Sequence, residues 1–375
     1  MKVSFVLPHD FRFSEWSVND FLRRYHFSKK YLDVFAKITG SMTKLYILHQ
    51  DISDAFTVNN ISFLPIDFYF PPFLKFGNEF SSKLVAKLLL DNPDIVHVFN
   101  YYVWSYPLIV YKLANRIPVV AQFHGIVDHF SSLKLLAFRN SYTKTKIFLT
   151  SFYYEKKKLI KLLKINSDRV KIFPNVGVSF ELFKPFRKSI TPKILYVGRF
   201  PRKIKNKWEK NPLLVIKLFE ALRKRIHDLT LEMVGDGPGF SRVMNYIKKK
   251  KLEDHVSLRG YVEHARLPRI YSNAWFTVIP MYFPEMTYLW DGSLKESLAC
   301  GTPVILFGNH FNLADWGLMI SYSRPDKDVE KILNIFKRYD MYFGDVKSIR
   351  NTLKEKCSWE ALIKNLVKIY ETVGE

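Results

Sequence analysis

Short runs of β-branched and aliphatic residues recur along this chain, separated by stretches long enough to form helices. Val3 to Leu7, Leu45 to Leu48, Ile61 to Leu64, Ile95 to Val98, Val119 to Phe123 and Ile147 to Thr150 read as strands. The intervening segments have the length of crossover helices, so the alternation predicts an α/β fold with a doubly wound parallel sheet rather than a sandwich. After Val170-Lys171-Ile172-Phe173 the pattern changes at Pro174-Asn175-Val176-Gly177-Val178 and passes through Pro185 and Pro192 with charged and polar residues between, where we expect a linker. The same alternation then restarts with Ile194 to Val197, Leu231 to Val234, Val256 to Leu258, Phe276 to Ile279 and Val304 to Phe307. No close sequence repeat links the halves, so the architecture repeats and the sequence does not. Leu362, Leu366, Ile369 and Tyr370 follow Ser358-Trp359-Glu360 as an amphipathic helix with Ser358 as its N-cap. The expected organisation is a first domain over 1–183, a second over 184–355 and a closing helix over 356–375 that can pack back across either domain, the first being the one expected.

A chain of 375 residues with 48% hydrophobic content can bury two cores. No apolar run reaches the roughly 18 to 20 residues that span a bilayer, and Val3 to Leu7 is bounded by Pro8-His9-Asp10, so neither a membrane span nor a signal peptide is expected. Two cysteines, Cys300 and Cys357, allow at most one disulfide, and a reduced cytoplasmic setting is the simpler expectation. Charge changes this picture: 58 Lys+Arg against 35 Asp+Glu leave +23. The excess gathers at Lys144, Lys146, Lys156 to Lys158, Lys161 and Lys164, and again at Lys248 to Lys251. Such runs are either solvated helix faces or polyanion-binding patches. The mixture of Phe152, Tyr153, Tyr154, Leu159, Ile160, Leu162 and Leu163 with lysines suggests peripheral contact with the inner, anionic face of a membrane.

Ligands of open α/β sheets bind beyond the C-terminal strand ends, so the polar residues there are the candidates. Lys295-Glu296-Ser297-Leu298-Ala299-Cys300-Gly301-Thr302-Pro303-Val304-Ile305 reads as a short helix stopped at Cys300-Gly301 and followed by a strand. Glu296 is thereby aimed at the loops beside a sheet, where a carboxylate can accept two hydroxyl protons from a vicinal diol such as a ribose; an ordinary exposed glutamate is the alternative. The strand ending at Val197 runs into Gly198-Arg199 and a basic loop to Lys210-Asn211-Pro212, so Arg199 and Lys210 can straddle a pyrophosphate at a helix N-terminus. Gly235-Asp236-Gly237-Pro238 is a tight turn after another strand, and Gly260-Tyr261-Val262 can offer backbone groups to a base edge. In the first half, His124 in Phe123-His124-Gly125 and His9 are polar strand-end candidates, while His97, inside a strand, reads as core. Zinc spacings, a P-loop, a G-x-G-x-x-G after the first strand and a G-x-S-x-G elbow do not occur.

Taken in order, Val197-Gly198-Arg199, Lys210-Asn211-Pro212, Val234 to Pro238, Gly260-Tyr261-Val262 and Glu296 to Val304 resemble the retaining glycosyltransferases of family four, also called group 1, which have the GT-B fold. Pro93-Asp94-Ile95-Val96-His97, Phe123-His124-Gly125, Phe173 to Val178 and Ser358-Trp359-Glu360 extend the likeness over nearly the whole chain. The resemblance implies two Rossmann-like domains facing a cleft, the first binding the acceptor and the second the nucleotide sugar, and transfer of a hexose with retention from a nucleotide sugar such as a UDP- or GDP-hexose to a glycan or lipid-linked acceptor, with no cofactor and no bound metal. It also implies that Arg199 and Lys210 hold the diphosphate, Glu296 the ribose, Val262 the base, and that His124 lies at the sugar. Gly198, Gly235, Tyr261, Gly292, Ser293 and Leu294 fall in the same donor site by this likeness.

Three departures qualify the assignment. The family's earlier acid falls on Tyr288, leaving Glu285 and Asp291 as alternative sugar contacts; the Arg199 to Lys210 interval is longer than usual, so Lys205 competes for the phosphate; and the first loop carries Phe11-Arg12-Phe13-Ser14-Glu15-Trp16 instead of paired glycines. A catalytically weakened binding or partner subunit is the alternative reading, motivated by Tyr288. Nucleic-acid binding rests on charge alone and is not expected.

Overall fold

The computed structural model describes residues 1–8, 26–48, 55–68, 81–100, 103–122, 132–151, 153–174, 176–204, 209–283, 291–308, 317–320, 328–339 and 346–374. They form two compact units, Met1–Gly177 with Trp359–Glu375, and Val178–Ser358.

The first unit holds an eight-stranded sheet: β1 (Val3–Leu7), β2 (Thr43–Leu48), β3 (Phe56–Val58), β4 (Ile61–Ile66), β5 (Ile95–Phe99), β6 (Val119–Gln122), β7 (Ile147–Thr150) and β8 (Val170–Ile172). Its order is β3-β4-β2-β1-β5-β6-β7-β8. All neighbours are parallel except β3, which pairs antiparallel with β4 through a hairpin turned at Asn59 (φ 53°). Every residue of β1, β5, β6 and β7 is buried, as expected where helices cover both faces of a parallel sheet. The closing helix Trp359–Gly374 buries Trp359, Leu362, Ile363, Leu366, Tyr370 and Val373, a stripe of helical period, and packs against the helix Phe27–Thr39.

The second unit holds β9 (Lys193–Val197), β10 (Thr230–Val234), β11 (Val256–Leu258), β12 (Phe276–Phe283), β13 (Val304–Gly308) and β14 (Gly317–Ile320), all parallel, in the order β11-β10-β9-β12-β13-β14. The order reverses between β9 and β12, and it is at such a switch point, beyond the C-terminal strand ends, that open parallel sheets take ligands.

The unit boundaries differ from expectation. The first crossing is Gly177 to Val178, ahead of the expected 183/184, and the return is Ser358 to Trp359 rather than 355/356. Phe180 and Phe183 belong to the second unit because both side chains are buried there and the Arg350 guanidinium donates to Phe180 O (2.6 Å), Phe183 O (3.4 Å) and Ala299 O (3.1 Å). The Pro185 to Pro192 stretch is also fastened to that unit, with Ser189 N on Asn273 O and Lys188 Nζ on Ala274 O. Two distant motifs meet at the crossings. Val178 pairs with Ser358 in an isolated parallel bridge, and a Cβ placed on Gly177 would lie 2.7 Å from the Trp359 indole.

The basic helix Tyr153–Leu163 spends Leu159 on the core, with Ile160 packed beside it, while Lys157, Lys161 and Tyr153 face solvent. Leu159 and Ile160 of the amphipathic pattern therefore have a packing cause, while Phe152 and the side chains of Tyr154, Leu162 and Leu163 lie outside the described residues. No helix among the described residues is long and apolar enough to cross a membrane. Cys300 and Cys357 are separate, buried thiols, and burial pushes Cys300 up to about 12.

Candidate functional site

The segment from Gly292 to Ile305 folds as a helix, Gly292–Ala299, then a turn into β13. Asp291 caps the helix, its Oδ1 accepting from Leu294 N at 2.8 Å and from Ser293 Oγ at 2.6 Å. At the other end Gly301 adopts φ +74°, and Gly301 N and Thr302 N donate back to Leu298 O and Ser297 O, which closes the helix with a left-handed residue. Ser297 Oγ bonds Thr277 Oγ1 and Thr302 O, which pins the helix to β12.

Glu296 is buried, only 9% exposed, so the ordinary surface glutamate is excluded. His264 Nε2 lies 2.7 Å from Oε1, and Tyr271 Oη donates to Oε2 at 3.1 Å. The Phe183 ring packs edge-on against His264, with centroids 5.0 Å apart. Burial, and then the Glu296 charge, push the Tyr271 phenol well above its ordinary pKa, so it remains a donor. An ionised carboxylate offers about four lone-pair positions. Among the described residues two are used, which leaves acceptor positions for a diol.

The neighbouring loops are built on glycine. Gly198 N donates to Val234 O, Phe200 N to Asp236 O, and Gly239 N to Phe200 O, so the turns after β9 and β10 lie directly on one another. Gly235, at φ +133°, could not carry a side chain: its Cβ would sit 1.9 Å from Gly198 O. A Cβ on Gly198 would lie 2.8 Å from Lys210 Cδ, so this glycine leaves the lysine its path. Gly235 N in turn donates to Gly260 O, which ties in the turn bearing exposed Tyr261 and half-buried Val262.

Lys210 reaches the capped end of the Gly292–Ala299 helix. Its Nζ lies 2.7 Å from Ser293 Oγ, 3.3 Å from Val197 O and 3.4 Å from Asp291 Oδ2. Burial alone would raise the Asp291 pKa, but Lys210 and the bonds from Ser293 and Leu294 outweigh it and hold the group below its ordinary value, hence ionised. Arg199 is exposed, its carbonyl fixed by Tyr196 Oη at 2.6 Å. Lys295, fully buried on the opposite side of the helix turn from solvent, has its pKa lowered by that burial.

Gly198, Lys210, Asp291, Ser293 and Leu294 thus come together through direct contacts, with Glu296 one turn along the same helix. His124, Lys205, Glu285, Tyr288, His9 and the loop from Phe11 to Trp16 lie outside the described residues. Sequence reasoning missed His264 and Tyr271. Their one legible signal was position, because both follow the Gly260-Tyr261-Val262 turn on the short segment that leads into β12. A separate cavity of about 480 Å³, lined among others by Lys193, Glu232, His255 and Arg259, lies at the N-terminal ends of β9 to β11 and contains none of these residues. Among the described residues no group of three His, Cys, Asp or Glu is arranged to hold a metal ion.

Residues 179–315 match the glycosyl transferases group 1, and residues 46–178 match glycosyltransferase family 4. The chain belongs to the group 1 glycosyltransferases. Over 98 residues, 26% of this chain, it is 28% identical to the poly(glycerol-phosphate) alpha-glucosyltransferase of Bacillus subtilis. The curated relatives are matched over only part of their length, 14% of that protein and 31% of another. Whole-chain likeness comes from solved structures. Sucrose-phosphate synthase from Thermosynechococcus elongatus superposes with a TM-score of 0.72 at 16% identity, covering 99% of this chain and 98% of that one. The Anabaena protein HepE, in complex with UDP, gives 0.70 at 14% identity, covering 99% and 100%. The fold of this group 1 glycosyltransferase is therefore GT-B, with two parallel-sheet α/β domains.

Proposed function

We propose that this protein transfers a hexose, with retention, from a nucleoside-diphosphate sugar to a glycan or lipid-linked acceptor, without a resident metal. The observation that carries the reading is the Glu296 carboxylate, held by two donors with acceptor positions to spare, on a helix whose N-terminal turn meets Lys210. The complexes of similarly folded HepE with UDP and with UDP-glucose support a nucleotide-sugar donor. In this reading Glu296 binds the ribose diol, the Tyr261-Val262 turn meets the base, and Arg199, Lys210 and the amides of Gly292 and Ser293 receive the diphosphate. Negative charge grows on that diphosphate as the glycosidic bond breaks. Fixed cations and a helix N-terminus aimed there act on the transition state, and the leaving phosphate takes the acceptor's proton on the same face of the sugar. His124 and one of Glu285 or Asp291 contact the sugar. Exposed Lys144, Lys146, Lys157, Lys161 and Lys164 give the acceptor side an affinity for an anionic membrane surface.

Incubation with radiolabelled UDP- and GDP-sugars and acceptor lipids tests the proposal. Transfer from one donor is the expected result, and absence of both binding and hydrolysis across the common donors overturns it. One observation favours the weakened partner subunit: Val197 O, Ser293 Oγ and Asp291 already surround the three protons of Lys210. Substitution of Arg199 or Glu296 by alanine separates the two, since a pure partner keeps its cellular role.

A further inference from the structure

The segment from Gly260 to Tyr271 carries three things in a row. First comes the turn Gly260-Tyr261-Val262, then His264 in a short 3-10 turn, His264–Arg266, then the helix Leu267–Asn273 with Pro268 in its first turn and Tyr271 near its end. This one piece of chain grips both oxygens of a carboxylate that belongs to another element, His264 on Oε1 and Tyr271 on Oε2. Its start is anchored to the glycine-built loops by Gly235 N on Gly260 O, and Phe183 backs both His264 and Tyr271. A glutamate side chain has three rotatable bonds, and a free one would present its lone pairs to a ligand in many orientations. With one donor on each oxygen the carboxylate plane is fixed.

We infer that His264 and Tyr271 are positioning residues that lock the Glu296 carboxylate in the orientation that accepts a ribose diol, and so set the preference for ribonucleotides over 2′-deoxyribonucleotides. This rests on the reading of Glu296 as the ribose anchor. Because the same segment begins with the base-facing turn, one continuous piece of chain both meets the base and orients the group that reads the ribose. In this reading neither residue is assigned to the diphosphate or the sugar, so the effect is expected at the diol.

Calorimetric titration of the full chain with UDP, GDP and their 2′-deoxy counterparts tests this. The wild type is expected to favour the ribonucleotide by about tenfold or more, the loss typical of an unmade hydrogen bond to a charged group. His264→Ala and Tyr271→Phe each reduce that ratio to below about threefold, chiefly by weakening the ribonucleotide, while 2′-deoxynucleotide affinity changes little. His264→Gln, whose amide nitrogen reaches the place of Nε2, keeps the ratio, and His264→Asn, which does not reach it, loses it. A wild type that discriminates while all of these variants discriminate equally well overturns the positioning role and leaves the ribose reading standing. A wild type that binds nucleoside diphosphates without discrimination removes the ribose reading, and this inference with it. Should His264→Ala fail to fold, the Gln and Asn pair and Tyr271→Phe decide the question.

Discussion

Each unit contains a histidine bonded to a tyrosine or a carboxylate deep among aromatic rings, yet the two clusters do different things. In the first unit His97 is fully buried on β5, its Nδ1 2.6 Å from Tyr370 Oη of the closing helix, with Phe5 and Phe99 packed at a tilt and Tyr31 edge-on around it. Burial drives its pKa down to about 3, opposed only in part by neighbouring Gln122. That histidine is neutral, sealed and unable to meet a ligand. In the second unit the His264 side chain keeps 20% of its surface, and its partner is a carboxylate with acceptor positions left over. The difference lies in capacity. A polar cluster whose groups are enclosed fastens helix to sheet, whereas one whose acceptor is only half used has something to offer a ligand.

If the first cluster is structural, breaking it must cost stability and leave ligand binding intact. His97→Ala removes a buried ring and its hydrogen bond and is expected to destabilise the first unit by about 3–5 kcal/mol. Hydrogen exchange of the β5 and β6 amides reads that loss, and nucleotide affinity stays at the wild-type value. Acid probes the same group without mutation. Its folded pKa lies below the unfolded 6.5, so its contribution is complete above pH 6.5 and is lost as pH falls toward about 3. Lowering the pH from 6.5 to 4 should cost about 3 kcal/mol through this residue, at about 1.4 kcal/mol per pH unit. His97→Gln flattens that part of a stability profile measured by urea denaturation.

The second cluster should respond in the opposite sense. Glu296→Gln keeps the shape and one acceptor oxygen but loses the charge, and is expected to weaken nucleoside-diphosphate binding by about 10- to 100-fold, or about 1.4–2.7 kcal/mol, in a calorimetric titration. Smallest is Tyr370→Phe, which deletes only the hydroxyl on His97 and should cost about 1–1.5 kcal/mol of first-unit stability with no change in affinity. An affinity loss on Tyr370→Phe would blur the contrast between the two clusters.

Much of this contrast was beyond the reach of sequence. The strands from Val3 to Leu7 and Ile147 to Thr150 fall where their apolar runs end, because parallel strands buried on both faces leave an unbroken hydrophobic signal. Phe56–Val58 and Gly317–Ile320 passed unnoticed, the first a three-residue antiparallel edge and the second a short run opening on glycine. Arg199, Lys210 and Glu296 were legible through the order of their motifs, and the buried His97 through its place inside a strand. His264 and Tyr271 were not, since their partner lies 32 and 25 positions away and only the fold brings them to it. The Lys210–Asp291 pair stayed hidden for the same reason, a separation of 81 positions being turned into a 3.4 Å contact by β9 and β12 lying side by side.

The claim that the second unit alone reads the nucleotide is tested most directly by hydrogen exchange with and without saturating UDP or GDP. Protection is expected at Gly292 to Glu296, at Gly198 to Phe200 and through the Gly260 to His264 segment, with β5 and β6 of the first unit unchanged. Protection absent from these three segments, while binding is established independently, would contradict the account.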